Sequence, residues 1–317
     1  MRLLLAALMG WLASLSAGTA SGQGFPEKPI RFITSAAGSG VDVIARQVGQ
    51  ALAVNLGQAV IVDNRASGFT PGLMVSKAPP DGYTLLLYGS TMWITPLLQS
   101  APYDPVRDFS PITKIGFSPN VLVVHPSLPV KSVRDLIAFA RARPGQMNEA
   151  SVGNGTSTHL GAELFKSMAH VSIVRFPYKS GATAMVDLIA GYVDLAFSTA
   201  ANAAPHVKAG LLRALAVTSA KPSSLVPGLP TVAAAGLAGF ESGANYVLFA
   251  PANTPASVIN RLNQETQRVL QQTELKQAFL NYGVEAGGSS SEELAATVRT
   301  EMARLGKIIK DAGIRGE

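Results

Sequence analysis

The stretch 151–165, SVGNGTSTHLGAELF, joins a short strand-like run to a helical pattern through glycines and hydroxyl residues. Four interpretations fit such a segment: a phosphate loop, a Ser/His catalytic pair, a turn that holds an anion, or an ordinary polar helix start. Glycine lets the backbone turn its N–H groups towards a ligand. A helix N-terminus also leaves N–H groups unpaired beside a partial positive charge. The segment therefore has the features of a turn that could hold a carboxylate.

A second segment of this kind occurs near the N-terminus, where AAGSG (36–40) stands between a strand-like run and a helical pattern. The duplication is more informative than either segment alone, because both would place N–H groups at the end of a strand. Spacing alone leaves two ordinary helix starts as an open alternative. We predict that His159 either braces its loop or touches the ligand. The other predicted contacts from the two segments are Ala37, Gly38, Ser39, Gly40, Asn154, Gly155, Thr156 and Ser157.

Asp42 and Gly155 carry expectations of their own. A carboxylate at Asp42 would repel an anionic ligand, so we expect Asp42 to cap and order its own loop. Replacement of Gly155 by valine is expected to abolish binding and to leave the melting temperature nearly unchanged.

Strand-like and helical patterns alternate along most of the chain, and this predicts a doubly wound α/β architecture. Two such series predict two similar α/β domains with a ligand cleft between them, at the carboxyl ends of the strands. The apolar runs at 120–126 and 245–251 are the expected crossing points. One domain is expected to comprise residues 23–121 and 246–317, and the other residues 122–245.

The N-terminus has the pattern of a secretory signal peptide. Arg2 is followed by an uncharged apolar run over 3–15 and then by small residues. We expect residues 1–22 to be cleaved and the remaining chain to be periplasmic. The alternative is an N-terminal membrane anchor, for which the apolar run is short. The 317 residues include no cysteine, so an exported chain would depend on its core rather than on disulfides.

The charges and chemistry-bearing residues exclude several function classes. The net charge of +6 is dispersed without basic blocks, which argues against nucleic-acid binding. Ser157 and His159 are two positions apart and would point in different directions on a helix. The four histidines are scattered, and we predict no metal or cofactor. The G-x-G at Gly153 and Gly155 lacks the third glycine and the Lys-Ser/Thr pair of nucleotide loops.

Several segments of the sequence occur in the same order as in one protein family. These blocks include KPIRFI, DVIARQVGQAL, APPDGYTLLL, PYDPVRDFSPI, GNGTSTHLGAELFK, AGYVDLAF and LPTVAAAGLAGFE. Through them the chain resembles the Bug-type periplasmic receptors of tripartite tricarboxylate transporters. The resemblance implies two α/β domains that close on an organic acid, an amino acid or an aromatic carboxylate. It also implies that main-chain amides and hydroxyls hold the ligand, without catalysis.

Departures from the family bear on specificity. The 36–40 loop lacks the prolines that are usual in the family, and Ser198 stands where aspartate is common. Ser90, in YGSTMW, lies among bulkier residues than usual, and we include Ser90 and Ser198 in the predicted site. Without a carboxylate to pair with a ligand ammonium, we expect a preference for uncharged-tail or aromatic carboxylates over amino acids. The alternative is that Ser198 does not touch the ligand.

The expected function is a periplasmic receptor that captures a small carboxylate and delivers it to the integral-membrane permease of a tripartite transporter. We expect a monomer without enzymatic activity. Two alternatives remain: a receptor that presents its ligand to a membrane-bound sensor, and a secreted α/β hydrolase.

Overall fold

The computed structural model covers most of the chain, in five ranges: 24–65, 68–153, 155–178, 180–311 and 313–314. The predicted signal peptide and the predicted ligand contact Asn154 lie outside the described residues.

Strands and helices alternate in the first part of the chain. They are β1 (Ile30–Thr34), α1 (Gly40–Leu56), β2 (Val60–Asn64), α2 (Thr70–Ser76), β3 (Thr84–Gly89), α3 (Thr91–Leu98) and β4 (Phe109–Val124). The hydroxyl of Ser39 caps α1 by accepting the Asp42 N–H. The helix ends at Gly57, whose φ of 66° lies in the left-handed region that glycine tolerates.

The middle part of the chain continues the alternation from a second set of helices. These elements are α4 (Val133–Ala142), β5 (Asn148–Val152), α5 (Ser157–Ala169), β6 (Val174–Tyr178), α6 (Gly181–Ile189), β7 (Leu195–Thr199), α7 (Ala200–Lys208) and β8 (Arg213–Val217). The chain then returns to the first part and ends in helices. The returning elements are β9 (Gly243–Pro251), α8 (Ala256–Leu270), α9 (Thr273–Asn281), β10 (Glu285–Ala286) and α10 (Ser291–Asp311).

The strands form a continuous sheet with the order β2-β1-β3-β9-β4-β7-β5-β6, and β8 and β10 also pair with β4. β1 is parallel to β2 and β3, and β5 is parallel to β6 and β7. Between these parallel sets, β9 is antiparallel to β3 and β4, and β4 is antiparallel to β7. This topology confirms the predicted α/β fold class, with a set of parallel strands on each side of the antiparallel strands β9 and β4.

β4 has two parts that pair with different strands. Its 109–119 part pairs with β9, and its 120–124 part pairs with β7 and β8. We call β1, β2, β3, β9, β10 and the 109–119 part the first strand group. We call β5, β6, β7, β8 and the 120–124 part the second strand group. The predicted crossing point at 120–126 is therefore the end of a longer strand that runs through the predicted domain boundary. The division of the chain into two domains stays a prediction.

Apolar side chains fill the space between the sheet and its helices. Phe32, Leu52 and Leu262 are fully buried where α1 and α8 cover the first strand group. Met185 and Leu188 are buried where α6 and α7 cover the second strand group. None of the helices within the described ranges has the length and apolar character needed to cross a membrane.

Candidate binding site

A cavity of about 310 Å³ opens at the carboxyl edge of the second strand group. The ends of β5 and β7 and the first residues of α5, α6 and α7 enclose it. The predicted contacts Thr156, Ser157 and Ser198 are part of its lining. The lining residues are Ala150, Val152, Thr156, Ser157, Thr158, Gly181, Ala184, Met185, Ala196, Phe197, Ser198, Thr199 and Asn202.

Three helices begin at this edge because β5, β6 and β7 are parallel and each is followed directly by a helix. Each helix is capped by a hydroxyl residue that accepts the N–H three positions further on. These pairs are Thr156 with His159, Ser180 with Thr183 and Thr199 with Asn202. Each N-terminus carries a partial positive charge of about half an electron, so the cavity mouth favours an anion.

The N–H groups that these caps leave over are the available donors. Ser157 and Thr158 line the cavity, and their N–H groups donate no backbone hydrogen bond to any other described residue. In a helix, the first turn has no carbonyl partner of its own for such groups. Among the described residues, none that lines the cavity has a charged side chain. An anion in this cavity would therefore be held by main-chain and hydroxyl dipoles.

The cavity has an apolar floor and a polar rim. Ala150, Ala184 and Ala196 are almost fully buried, and their small side chains leave the floor open. At the rim, the Asn202 amide nitrogen donates to the Ser198 hydroxyl over 3.2 Å. The site thus combines hydrogen-bonding groups at one end with an apolar space at the other.

The loop before α5 is held by its own side chains. The Thr156 hydroxyl donates to the Val152 carbonyl over 2.7 Å and accepts the His159 N–H over 3.3 Å. The Gly155 N–H donates to His159 Nδ1 over 3.1 Å. His159 is only 2% exposed and does not line the cavity. In this geometry His159 braces the loop, and the Gly155 amide is already occupied.

Burial, reinforced by the charges of Arg175 and Lys166, lowers the pKa of His159 to about 4. The imidazole is therefore neutral near pH 7. No hydrogen bond joins the Ser157 hydroxyl to His159 among the described residues, and His159 Nδ1 already has a partner. This arrangement offers no nucleophile–base pair of the kind that a serine hydrolase needs.

Gly155 also lies close to Leu98 of α3. Its φ is 71°, and a Cβ built on it would lie 2.4 Å from Leu98 Cδ1 of α3. A valine at this position would combine backbone strain with a steric clash. The expectation that Gly155→Val leaves the melting temperature nearly unchanged is therefore wrong, because a β-branched residue is strained at this φ even if the flexible Leu98 side chain moves aside.

The N-terminal segment, Ala37 to Gly40, does not line this cavity. The Gly38 N–H donates to Asp42 Oδ2 over 2.8 Å, and the Ser39 N–H donates to the Ala36 carbonyl over 3.2 Å. The Ser39 hydroxyl lies 2.6 Å from the Ser35 hydroxyl. Within this segment, the amides of Gly38 and Ser39 are thus committed to the loop itself.

Asp42 orders this loop, as its sequence context predicts. Its carboxylate accepts hydrogen bonds from Gly38 and from the Asn64 amide and lies 3.0 Å from Arg46 Nε. Burial opposes ionisation of Asp42, but the hydrogen bonds from Asn64, Gly38 and Arg46 outweigh it and hold the pKa below its ordinary value. Arg46 is therefore turned towards Asp42 and Asn64.

Gly40 and Ser90 lie near the carboxyl edge of the first strand group. The Gly40 N–H makes no backbone hydrogen bond with another described residue, and a Cβ on Gly40 would lie 3.5 Å from the Tyr246 hydroxyl. Ser90 is buried, and its N–H donates to the Asn245 carbonyl over 2.9 Å. Burial raises the pKa of Tyr246, so its hydroxyl remains a neutral hydrogen-bonding group.

Several residues that line the cavity were not predicted from the sequence. They are Gly181, Ala184, Met185, Thr199 and Asn202. Their helices lack the glycine-rich starts that mark the two predicted segments. A usable signal exists in the spacing of Ser180 with Thr183 and of Thr199 with Asn202, since both pairs form N-caps. The described residues contain no group of three or more metal-ligating side chains placed to hold an ion.

Residues 44–314 match the tripartite tricarboxylate transporter family receptor. The chain belongs to this receptor family. This is a family of periplasmic solute-binding receptors, and the resemblance derived from the sequence blocks is confirmed.

Curated relatives cover almost the entire receptor. A protein of the tcbD-tcbE intergenic region of Pseudomonas sp. (strain P51) is 35% identical over 290 residues, which are 90% of this chain and 86% of the relative. The protein BugT of Bordetella pertussis is 32% identical over 315 residues, which are 98% of this chain and 95% of BugT.

Solved structures share the fold of the receptor. An R. palustris protein solved with adipate is 34% identical, with a TM-score of 0.73 over 92% of this chain and 100% of that protein. MatC from Rhodopseudomonas palustris, solved with bound malate, is 25% identical, with a TM-score of 0.69 over 90% of this chain and 100% of MatC.

Proposed function

We propose that this receptor captures a small carboxylate in the cavity of the second strand group and delivers it to the integral-membrane permease of a tripartite transporter. The main support is that the capped N-termini of α5, α6 and α7 all open onto one cavity. No described residue that lines this cavity has a charged side chain. Unpaired N–H groups and helix dipoles suit a carboxylate, and hydrogen bonds to a charged group contribute about 1.5–3 kcal/mol each. The relatives solved with adipate and malate support a carboxylate ligand.

The lining also supports a narrower ligand class. No carboxylate lines the cavity among the described residues, so the ammonium group of an amino acid would be buried without a partner. Burial of an unpaired charge is strongly unfavourable. The alanine floor instead accommodates methylene groups or a ring. We propose an acid with an uncharged aliphatic or aromatic tail as the ligand.

The predicted contacts take three roles in this proposal. Ser157 and Ser198 touch the ligand directly. Three further predicted contacts belong to the side of the first strand group and reach the ligand after the two units close. They are Ala37, Gly40 and Ser90. Gly38, Ser39, Gly155, Thr156 and His159 shape the loops that carry these contacts.

We further propose that the protein is exported through its N-terminal signal peptide, acts as a monomer and has no catalytic activity. The N-terminal charge and hydropathy pattern supports export. The commitment of His159 Nδ1 to Gly155 supports the absence of hydrolase chemistry.

Calorimetry with matched ligand pairs tests the function and the ligand class together. Glutarate is compared with glutamate, and 3-phenylpropanoate with phenylalanine. We expect at least one acid to bind with micromolar affinity and its amino-acid partner to bind at least about 100-fold more weakly, since an unpaired ammonium costs several kcal/mol. Equal binding of both members of each pair contradicts the ligand class. No binding by a broad panel of carboxylates contradicts the function.

Ala184→Leu tests whether the tail occupies the alanine floor. The larger side chain should fill the floor and weaken 3-phenylpropanoate by about tenfold or more, because the ring loses its space. Ala204→Leu makes the same change at an exposed position of α7 that does not line the cavity. Equal affinities for the two variants would place the tail elsewhere.

A further inference from the structure

A buried network of titratable side chains lies behind the loop that precedes α5. His159 Nδ1 accepts the Gly155 N–H over 3.1 Å, and His159 Nε2 lies 3.8 Å from Glu163 Oε1. Lys166 Nζ lies 2.5 Å from Glu163 Oε1 and 3.7 Å from Glu149 Oε2. The network therefore leads from Glu149, near the amino end of β5, to the Gly155 amide, although none of its side chains lines the cavity.

Charged groups face α5 from two sides. Glu149 of β5 and Arg175 of β6 lie on the sheet side, where Arg175 Nε donates to the Ser151 hydroxyl over 3.0 Å. On the α10 side, the charged neighbours line a small space beside Leu160 and Leu164. These neighbours are Glu241, Glu301 and Arg304.

The hydrogen bond to Gly155 fixes the tautomer of His159. The Gly155 N–H can only donate, so Nδ1 must be unprotonated and Nε2 must carry the proton. Protonation would place a second N–H at Nδ1, opposite the Gly155 N–H. Two donors cannot share a hydrogen bond, and the contact that braces the loop would be lost.

Loss of the hydrogen bond from Gly155 to His159 would affect the binding site through the Gly155 backbone. Gly155 has a φ of 71° and stands directly before Thr156, the cap of α5. Its backbone therefore sets the path by which the chain enters the helix. The N–H groups of Ser157 and Thr158 follow at once, and both residues line the cavity.

We propose that His159 is a positioning residue of the anion site: its neutral imidazole fixes Gly155 and thereby directs the Ser157 and Thr158 N–H groups into the cavity, and its protonation releases them. This inference rests on the proposed function, since it requires the cavity to bind an anion. Burial and the positive charges of Arg175 and Lys166 lower the pKa of His159 to about 4. The brace therefore persists near neutral pH and fails in acid.

The test compares His159→Asn with His159→Gln, using glutarate as the probe, or 3-phenylpropanoate if glutarate does not bind the wild type. The Asn Oδ1 can take the place of Nδ1 and accept the Gly155 N–H, whereas the longer Gln side chain reaches towards the Nε2 position. At pH 7 we expect His159→Asn to bind within about threefold of wild type and His159→Gln to lose about tenfold or more. Similar losses in both variants would overturn the inference.

The pH profile separates positioning from general structural support. The probe titrates too, so wild type is compared with His159→Asn at each pH. The ratio of wild-type affinity to variant affinity should be about fourfold lower at half a pH unit below the His159 pKa of about 4 than it is near pH 7. Parallel profiles would overturn the inference.

NMR titration of the wild-type His159 ring provides a measurement that needs no variant. Since protonation and ligand binding oppose one another, saturating probe should lower the pKa of His159 further. An unchanged pKa on binding contradicts the inference. If the wild type binds no carboxylate at all, the proposed function fails instead.

Discussion

At the scale of single residues, Glu149 carries the strongest electrostatic penalty near the site. Its side chain is 1% exposed on β5, and Lys166 Nζ lies 3.7 Å away, too far for a hydrogen bond. Burial raises the pKa of the Glu149 carboxyl to about 8, although the Lys166 ammonium opposes the shift. The carboxyl is therefore mostly protonated at pH 7, and its ionisation destabilises the folded state.

Glu149→Gln should remove a pH-dependent loss of stability. The folded-state pKa of Glu149 is raised, so its contribution is complete below the unfolded value, near 4.5, and is lost as the pH rises towards about 8. Glutamine resembles the protonated carboxyl and does not titrate. We expect the variant to match wild type near pH 4.5 and to gain about 2 °C or more in melting temperature by pH 8.

Thermal melts between pH 4.5 and 9 measure this difference. Glu292→Gln, at an exposed position in the first turn of α10, is the matched control and should show no such trend. A Glu149→Gln advantage that stays constant with pH would contradict a protonated buried carboxyl.

At the scale of elements, the start of α5 serves both stability and binding. Thr156 and Ser132 are equivalent caps, because each hydroxyl accepts the N–H three residues further on. Thr156→Ala and Ser132→Ala should each cost about 0.5–2 kcal/mol of the free energy of unfolding. Only Thr156 lines the cavity, and only its hydroxyl also ties the loop to Val152.

We therefore expect Thr156→Ala to weaken binding of the preferred acid about tenfold, and Ser132→Ala to leave it unchanged. Denaturant unfolding and calorimetry on the same samples provide the two readouts. Equal affinities in the two variants would mean that the α5 cap supports the fold and not the site.

Elements with local signals could be predicted from the sequence. The helix start at Ser132 follows from the Asp135 three residues later, and the end of α1 follows from Gly57. The full length of β4 could not be predicted, because Pro111 and Gly116 interrupt its apolar pattern. Both residues lie at register shifts against β9, where a bulge absorbs the irregularity.

The candidate site was predictable only in part, for a similar reason. Ser157 and Ser198 lie beside recognisable sequence features, whereas Ala184 and Met185 line the cavity only because α6 packs onto β5 and β7. That packing depends on the tertiary arrangement of a helix against two strands, which the local sequence pattern does not specify. The Gly38 N–H donates to Asp42, and the Gly155 N–H donates to His159. These hydrogen bonds depend on side-chain geometry, which the spacing of glycines in the sequence does not reveal.

At the scale of the whole molecule, the two strand groups meet at β4, which pairs with β9, and α10 supports this junction. Glu301 of α10 accepts hydrogen bonds from Trp93 Nε1 over 2.9 Å and from Asn245 Nδ2 over 2.8 Å. These contacts tie α3 to the crossing strand β9. Leu98 of α3 in turn faces Gly155 of the α5 loop. The junction therefore lies next to the loop that carries the proposed anion site.

A crystal structure of the receptor with its preferred acid would show which groups hold the ligand. We expect the carboxylate in the cavity of the second strand group, with an oxygen within about 3.2 Å of the Ser157 or Thr158 backbone nitrogen. We also expect no lysine or arginine side chain within about 4 Å of that carboxylate. A carboxylate paired with a cationic side chain, or bound outside this cavity, would show that main-chain dipoles at these helix starts do not hold the anion.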